Sequence, residues 1–160
     1  MSVSRLTIFL AVFATSGFPF ATESLPVQKV LTADIAQEMA IAALEKCRGD
    51  GFHVAVTVVD QDNLLKSFIR DDGASLSAME MGRMKANTTM WFGRPSAPDI
   101  PAGAPVPAPA LPGASNFAGS LPVRAGGELI GAISVSGAPS GDKDAACAAA
   151  GLNKVSGRLK

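Results

Sequence analysis

The side chains that most often carry chemistry are sparse in this chain of 160 residues, and that narrows the reactions open to it. There is one histidine, His53, and there are two distant cysteines, Cys47 and Cys147. A single imidazole cannot supply a histidine-rich zinc cluster, and the cysteines form no Cys-x-x-Cys pair. Covalent haem attachment through Cys-x-x-Cys-His is excluded with them. A Ser-His-Asp triad would have to use His53 at the start of an apolar strand, where a lone histidine is more often structural. The Gly-x-x-x-x-Gly-Lys phosphate loop, the Gly-x-Gly-x-x-Gly turn after a strand and the Gly-x-Ser-x-Gly elbow are all absent. What remains is a sulfur-rich stretch, with Met79, Met81, Met84 and Met90 within twelve residues. Methionine is unbranched and adapts to irregular surfaces, so core packing is one reading. A wall for a flat apolar ligand, with a thioether near a metal, is the other. Asp60 and Asp72 would be candidate bases in a small-molecule enzyme. No recognisable catalytic set emerges, which favours binding over turnover.

These residues need a scaffold, and the centre of the chain supplies it. Val54, Val56 and Val58 alternate with Ala55, Thr57 and Val59, a pattern that belongs in the middle of a covered sheet. Asp60-Gln61-Asp62-Asn63 follows, and its short polar side chains can bond their own backbone, so the chain reverses into a second strand over 64–70. An Asp71-Asp72-Gly73-Ala74 corner leads to the methionine-rich helix, reaching to about Met90. Ser75 or Ser77 caps it, and Ser77 with Glu80 has capping-box spacing. Upstream, Thr32 is a good N-cap and Asp34 sits in the first turn of a helix whose Ile35, Met39, Ala42, Ala43 and Cys47 share one side. Gly49 or Gly51 ends it. Downstream, Gly126-Gly127 marks a second hairpin, with strands over 121–124 and 129–136. Asp142 then caps an alanine-rich helix to about Lys154. Antiparallel pairs flanked by helices indicate an α+β domain. Both hairpins read as buried on two faces.

The ends and the middle differ in kind. Arg5, the apolar run 6–13, and then Gly17 and Pro19 match a secretory signal peptide over 1–21, followed by one domain over 22–160. The alternative is a buried N-terminal helix. The apolar run is too short to span a bilayer, so export to the periplasm or medium is expected, without stable membrane insertion. Lys+Arg and Asp+Glu balance at 14 each, which argues against a non-specific nucleic-acid binder. A loop over 93–115 is rich in proline, alanine and glycine. It forms neither helix nor central strand, and reads as a lid, an oligomer arm or plain coil. As an arm it would make the protein an interaction module.

Several stretches taken together resemble a known family. They are His53-Val-Ala-Val-Thr-Val-Val-Asp60, Asp72-Gly73-Ala74, Lys85-Ala86-x-Thr88 and Phe92-Gly93-Arg94-Pro95. The second half adds Phe117-Ala118-Gly119-x-Leu121-Pro122, Gly131-Ala-Ile-x-Val135-Ser136-Gly137, Gly141-Asp142-x-Asp144 and Ala150-Gly151. Over residues 31–155 the chain is similar to the HbpS/GlcG haem-binding family, which also includes the C-terminal domain of PduO-type cobalamin adenosyltransferases. The resemblance implies a profilin-like antiparallel sheet of about five strands with helices on both faces. The fifth strand would lie near Phe117 or after Arg94. It further implies a homo-oligomer that binds haem, or another flat apolar ligand, non-covalently, in connection with iron supply or redox sensing. Haem degradation goes with the family name alone. Thr88 carries over as the candidate haem contact. Glu80 and Arg83 hold charged positions on the same helix, for iron or a propionate, and Met84 and His53 are the other candidate ligands. One departure is plain: relatives continue after Arg-Pro with Thr-Ser-Glu-Leu and a further helix, where this chain has Ser96-Ala97-Pro98-Asp99. In a profilin-like arrangement the first and last helices lie side by side. An exported protein with an even cysteine count then favours a Cys47–Cys147 bridge, against two buried thiols.

Overall fold

The computed structural model describes residues 24–97 and 111–160. The expected signal peptide over 1–21 and most of the proline-rich loop lie outside the described residues. Three helices and four strands follow in the order α1 (Ala33–Gly49), β1 (Ala55–Asp60), β2 (Leu65–Arg70), α2 (Leu76–Phe92), β3 (Ser120–Ala125), β4 (Glu128–Ser136) and α3 (Gly141–Val155), closed by a short 3-10 turn. The sheet is antiparallel in the order β2-β1-β4-β3. Four strands stand among the described residues, where about five were expected. The described residues after Arg94 form no strand and tie to β3 through Ser96, whose N–H donates to the Ser120 carbonyl at 3.1 Å.

Local chemistry sets the turns. The Asp60 carboxylate accepts the backbone N–H groups of Asp62 and Leu64, and Asn63 takes a positive φ of 59°. In the second hairpin both Gly126 and Gly127 have positive φ, which the primed two-residue turn demands. Thr32 caps α1 by accepting from Ile35 N–H. Ser75, not Ser77, caps α2, accepting from Ala78 N–H, while the Ser77 hydroxyl pairs with that of Ser75. The capping box therefore does not form, because the helix starts two residues earlier than that spacing needs. Ser140, not Asp142, occupies the N-cap of α3.

The sheet's two faces differ. Val56, Val58, Val123, Ile133 and Val135 join Met39, Ala43, Cys47, Cys147 and Ala148 in one apolar core beneath α1 and α3. On α1 the buried stripe is Ala36, Met39, Ala40, Ala43, Leu44 and Cys47, with Ile35 and Ala42 at its margin. The two helices touch closely: a Cβ on Gly151 would lie 2.4 Å from the Met39 carbonyl. The Cys47–Cys147 disulfide crosslinks them, with the Cα atoms 5.6 Å apart. The opposite face, under α2, has a small apolar patch of Val59, Ala86 and Ala132. Around it lie the hydroxyls of Thr57, Thr89, Ser120 and Ser134, all buried and without a hydrogen-bond partner among the described residues. The expectation that both hairpins are buried on two faces holds for β1 and β4. It fails for β2, an edge strand with Leu65 and Phe68 exposed, because no described strand lies beyond it.

Candidate functional site

Helix α2 carries four of the five residues singled out from the sequence, and it divides them by face. Ala78, Gly82, Lys85, Ala86 and Thr89 face the sheet and are buried. Glu80, Arg83 and Met84 lie three and four positions apart, on the outward side. Glu80 is exposed, while Arg83 and Met84 are half-buried. The Arg83 guanidinium donates to the Asn63 carbonyl at 2.7 Å, which anchors it beside the first hairpin turn. Asn87 extends the same anchorage, accepting from the Asn63 amide and donating to the Gly113 carbonyl. Leu76 and Trp91 fall on this side by helical spacing and are exposed, as are Phe92 at the helix end and Phe68 on β2. Phe68 pairs with Thr57, whose hydroxyl borders Gly82, so it lies on the α2 face of the sheet. Arg94 stacks over the Phe92 ring at 5.4 Å.

Thr88 is placed differently from the outward group. It is fully buried, donates to the Met84 and Ser115 carbonyls, and accepts from Ser115 N–H at 2.8 Å. It fastens the far end of the proline-rich loop to α2. The Ser115 hydroxyl in turn reaches the Met81 sulfur. Ser96, also fully buried, fastens the near end: its hydroxyl donates to the Phe117 carbonyl and accepts from Ser120 N–H. His53 belongs to another cluster. Its Nδ1 lies 3.3 Å from Asp71, which also accepts two N–H bonds from Arg48. Hydrogen bonding to Arg48 holds the Asp71 carboxyl below the usual carboxylate range. His53 precedes β1 and Asn63 follows it, so about 20 Å of strand separates His53 from the carbonyl that holds Arg83. The two carboxylates considered as bases are in turns: Asp60 is spent on its own turn, and Asp72 is exposed.

A buried ion pair went unread as a pair in the sequence. The Lys85 ammonium, 2 % exposed, donates to the Asp144 carboxylate at 2.7 Å and to the Val135 carbonyl at 3.1 Å. The other Asp144 oxygen accepts from Ala138 N–H. Burial pushes the lysine below its ordinary range and the aspartate above its own, and their mutual attraction opposes both shifts. Gly119 makes room for the pair, since a Cβ there would lie 2.7 Å from the Lys85 nitrogen. The signal was a lysine on the stripe of α2 that faces the sheet, between Gly82 and Thr89.

Among the described residues no cluster of three His, Cys, Asp or Glu could hold a metal ion, and no helix is long and apolar enough to cross a membrane. Chemically, the outward side of α2 offers the Met84 thioether, the Trp91 indole, the Glu80 carboxylate and the Arg83 guanidinium, with Arg94 just past the C-terminal end. That set fits a flat hydrophobic ligand with acidic substituents.

The chain is similar to known proteins in family and in fold. The profile of the family described as "Haem degrading protein HbpS-like" matches residues 31–153. A crystal structure of HbpS superposes with a TM-score of 0.72 at 37% identity, covering 81% of this chain and 92% of that one. A double mutant of Streptomyces reticuli HbpS gives 0.69 at 32%, covering 86% and 97%. The haem complex of PduOC gives 0.69 at 22%, covering 79% and 95%, a likeness of fold. No curated protein matches the chain.

Proposed function

The chain belongs to the HbpS-like family, and from that membership we propose that it is an exported protein that captures haem non-covalently on the outward side of α2. The observation that carries the reading is the conjunction of Met84 and Trp91 with Arg83 and Glu80 on one helix face, with Arg94 beyond its C-terminal end. Apolar and aromatic side chains suit the porphyrin plane, and the two guanidiniums suit its propionates. Glu80, or a thioether of Met79 or Met84, would meet the iron. His53 is the alternative ligand, reached only if the haem lies toward the N-terminal end of α2. Bound haem would supply redox-active iron, in keeping with a role in iron supply or redox sensing. Thr88 contributes by holding the loop end at Ser115, and its hydroxyl becomes a ligand only if that clasp opens. The PduOC structure was solved with haem, which supports the same ligand class here.

Export is supported by the disulfide, which persists in oxidising compartments. Self-association is supported by the apolar edge at Leu65 and Phe68 together with the outward side of α2. A hemin titration tests the reading. A Soret shift at micromolar protein is expected, altered in Glu80→Gln or Met84→Leu. An unchanged hemin spectrum on adding protein would refute capture. A shift lost only in His53→Ala would move the site to the β1 end. Bleaching of the Soret band with a reductant would turn capture into degradation.

A further inference from the structure

A second site lies at the N-terminal end of α2, away from the outward face. A cleft of about 630 Å³ opens between α2, the end of β4 and the start of α3, a size ordinary for small-molecule sites. Two helices begin on it. Ser75 and Ser77 of α2 line one side, and Ser140 and Gly141 of α3 line another. A helix start presents unpaired N–H groups and about half a positive charge. At α3 the Ser140 hydroxyl makes no capping bond, unlike Thr32 and Ser75; its carbonyl takes the Lys143 and Asp144 N–H groups, which leaves those of Gly141 and Asp142 for a ligand. The Lys85 ammonium lines the cleft with two of its three hydrogens engaged.

The decisive side chain is Ser136. It is 5% exposed, lines the cleft, and its hydroxyl has no described partner. The hydroxyl opens onto the cleft and is free to donate to a ligand there. The charge balance then selects the ligand. Asp144 cancels Lys85, and exposed Lys143 offsets exposed Asp142 in the first turn of α3, so the net attraction comes from two helix starts, about one positive charge together. That matches one carboxylate and leaves a dianionic phosphate under-neutralised beside Asp144. Ala78, Met81 and Phe117 give the cleft apolar walls that suit a short carbon chain.

We propose that this cleft binds a small organic monocarboxylate, held by the first-turn N–H groups of α3 and the Ser136 hydroxyl. The proposal stands independently of haem capture. The test is a two-dimensional amide NMR titration of the whole protein with sodium acetate, sodium butyrate, butyramide and inorganic phosphate in separate arms. Butyrate should give saturable shifts at Ser77, Ser136, Gly141 and Asp142, stronger than acetate, and butyramide should give none. Ser136→Val should weaken butyrate about tenfold, as loss of a hydrogen bond to a charged group does. Ser136→Ala serves the same purpose if the valine variant is poorly folded. No saturable shift with either acid up to tens of millimolar would overturn the proposal. So would equal binding of butyramide, binding of phosphate alone, or undiminished butyrate affinity in a folded Ser136 variant.

Discussion

Replacing Lys85 by Met tests the ion pair beneath α2. The substitution keeps the length and apolar stem of the side chain and removes only the charge. Lys85 and Asp144 side chains are 2% and 4% exposed, 2.7 Å apart. At an effective dielectric near 20, two charges at that distance attract by about 6 kcal/mol, offset by the cost of taking both out of water. The net worth of the pair is thus small, but breaking it is not. Lys85→Met leaves Asp144 with only the Ala138 N–H, and deprives the Val135 carbonyl of a donor. The expected loss is about 3–5 kcal/mol, or about 10–15 °C in Tm for a domain of this size. Acid should reduce the loss. In the variant the Asp144 carboxyl keeps a folded-state value raised by burial and no longer opposed by Lys85. The destabilisation is therefore smallest below the unfolded value of about 3.9, and grows as pH rises through the folded value. Lys85→Met with Asp144→Asn should recover most of the stability, because asparagine can still accept from Ala138 without a charge. Urea unfolding of wild type, both single variants and the double variant at neutral and acidic pH measures the cycle. A loss under about 1 kcal/mol in Lys85→Met, unchanged by acid, would refute the argument.

Three further outcomes follow from the same structure. Denatured, unreduced protein should take up no alkyl groups by intact mass, and reduction should cost about 4–5 kcal/mol, the chain-entropy value for a closed loop of 100 residues. Thr88→Val should cost about 1–3 kcal/mol by stranding Ser115, with faster hydrogen exchange at the Ser115 amide as the local signature. The Asp71 carboxyl is held low, so its contribution is present above the unfolded value near 3.9 and disappears as pH falls through the folded one. Arg48→Met should flatten the acid limb of a stability profile taken from about pH 6 to about pH 2.

Features with short-range causes could be read from the residues. Thr32, the Asp60 turn and the Gly126-Gly127 turn each act within a few positions, and each is where the sequence puts it. The Ser75 cap was ambiguous because Ser77 satisfies the same local pattern, and only the start of the helix decides between them. The exposure of β2 was illegible for another reason. Leu65, Phe68 and Ile69 look like core, and whether a strand is an edge depends on its neighbours across the sheet. Thr88 was chosen through the family resemblance, which names a motif position without its contacts. Lys85 and Asp144 stood in two quoted motifs, yet their meeting depends on how α2 and α3, on opposite faces of the sheet, approach the same end of β4. The cleft at the start of these helices has the same origin.

The disulfide also fixes what happens when the backbone is cut. Cys47 and Cys147 enclose the four described strands, the whole of α2 and the proline-rich segment within one covalent ring. A single cleavage anywhere inside that ring opens it without releasing a piece, since the two fragments stay tied through sulfur. The long loop joining α2 to β3 lies inside the ring and is pinned at both ends by Ser96 and Thr88. A nicked protein would therefore run at full mass on a non-reducing gel and separate into two bands only after reduction. A chain cut once there would still be one molecule.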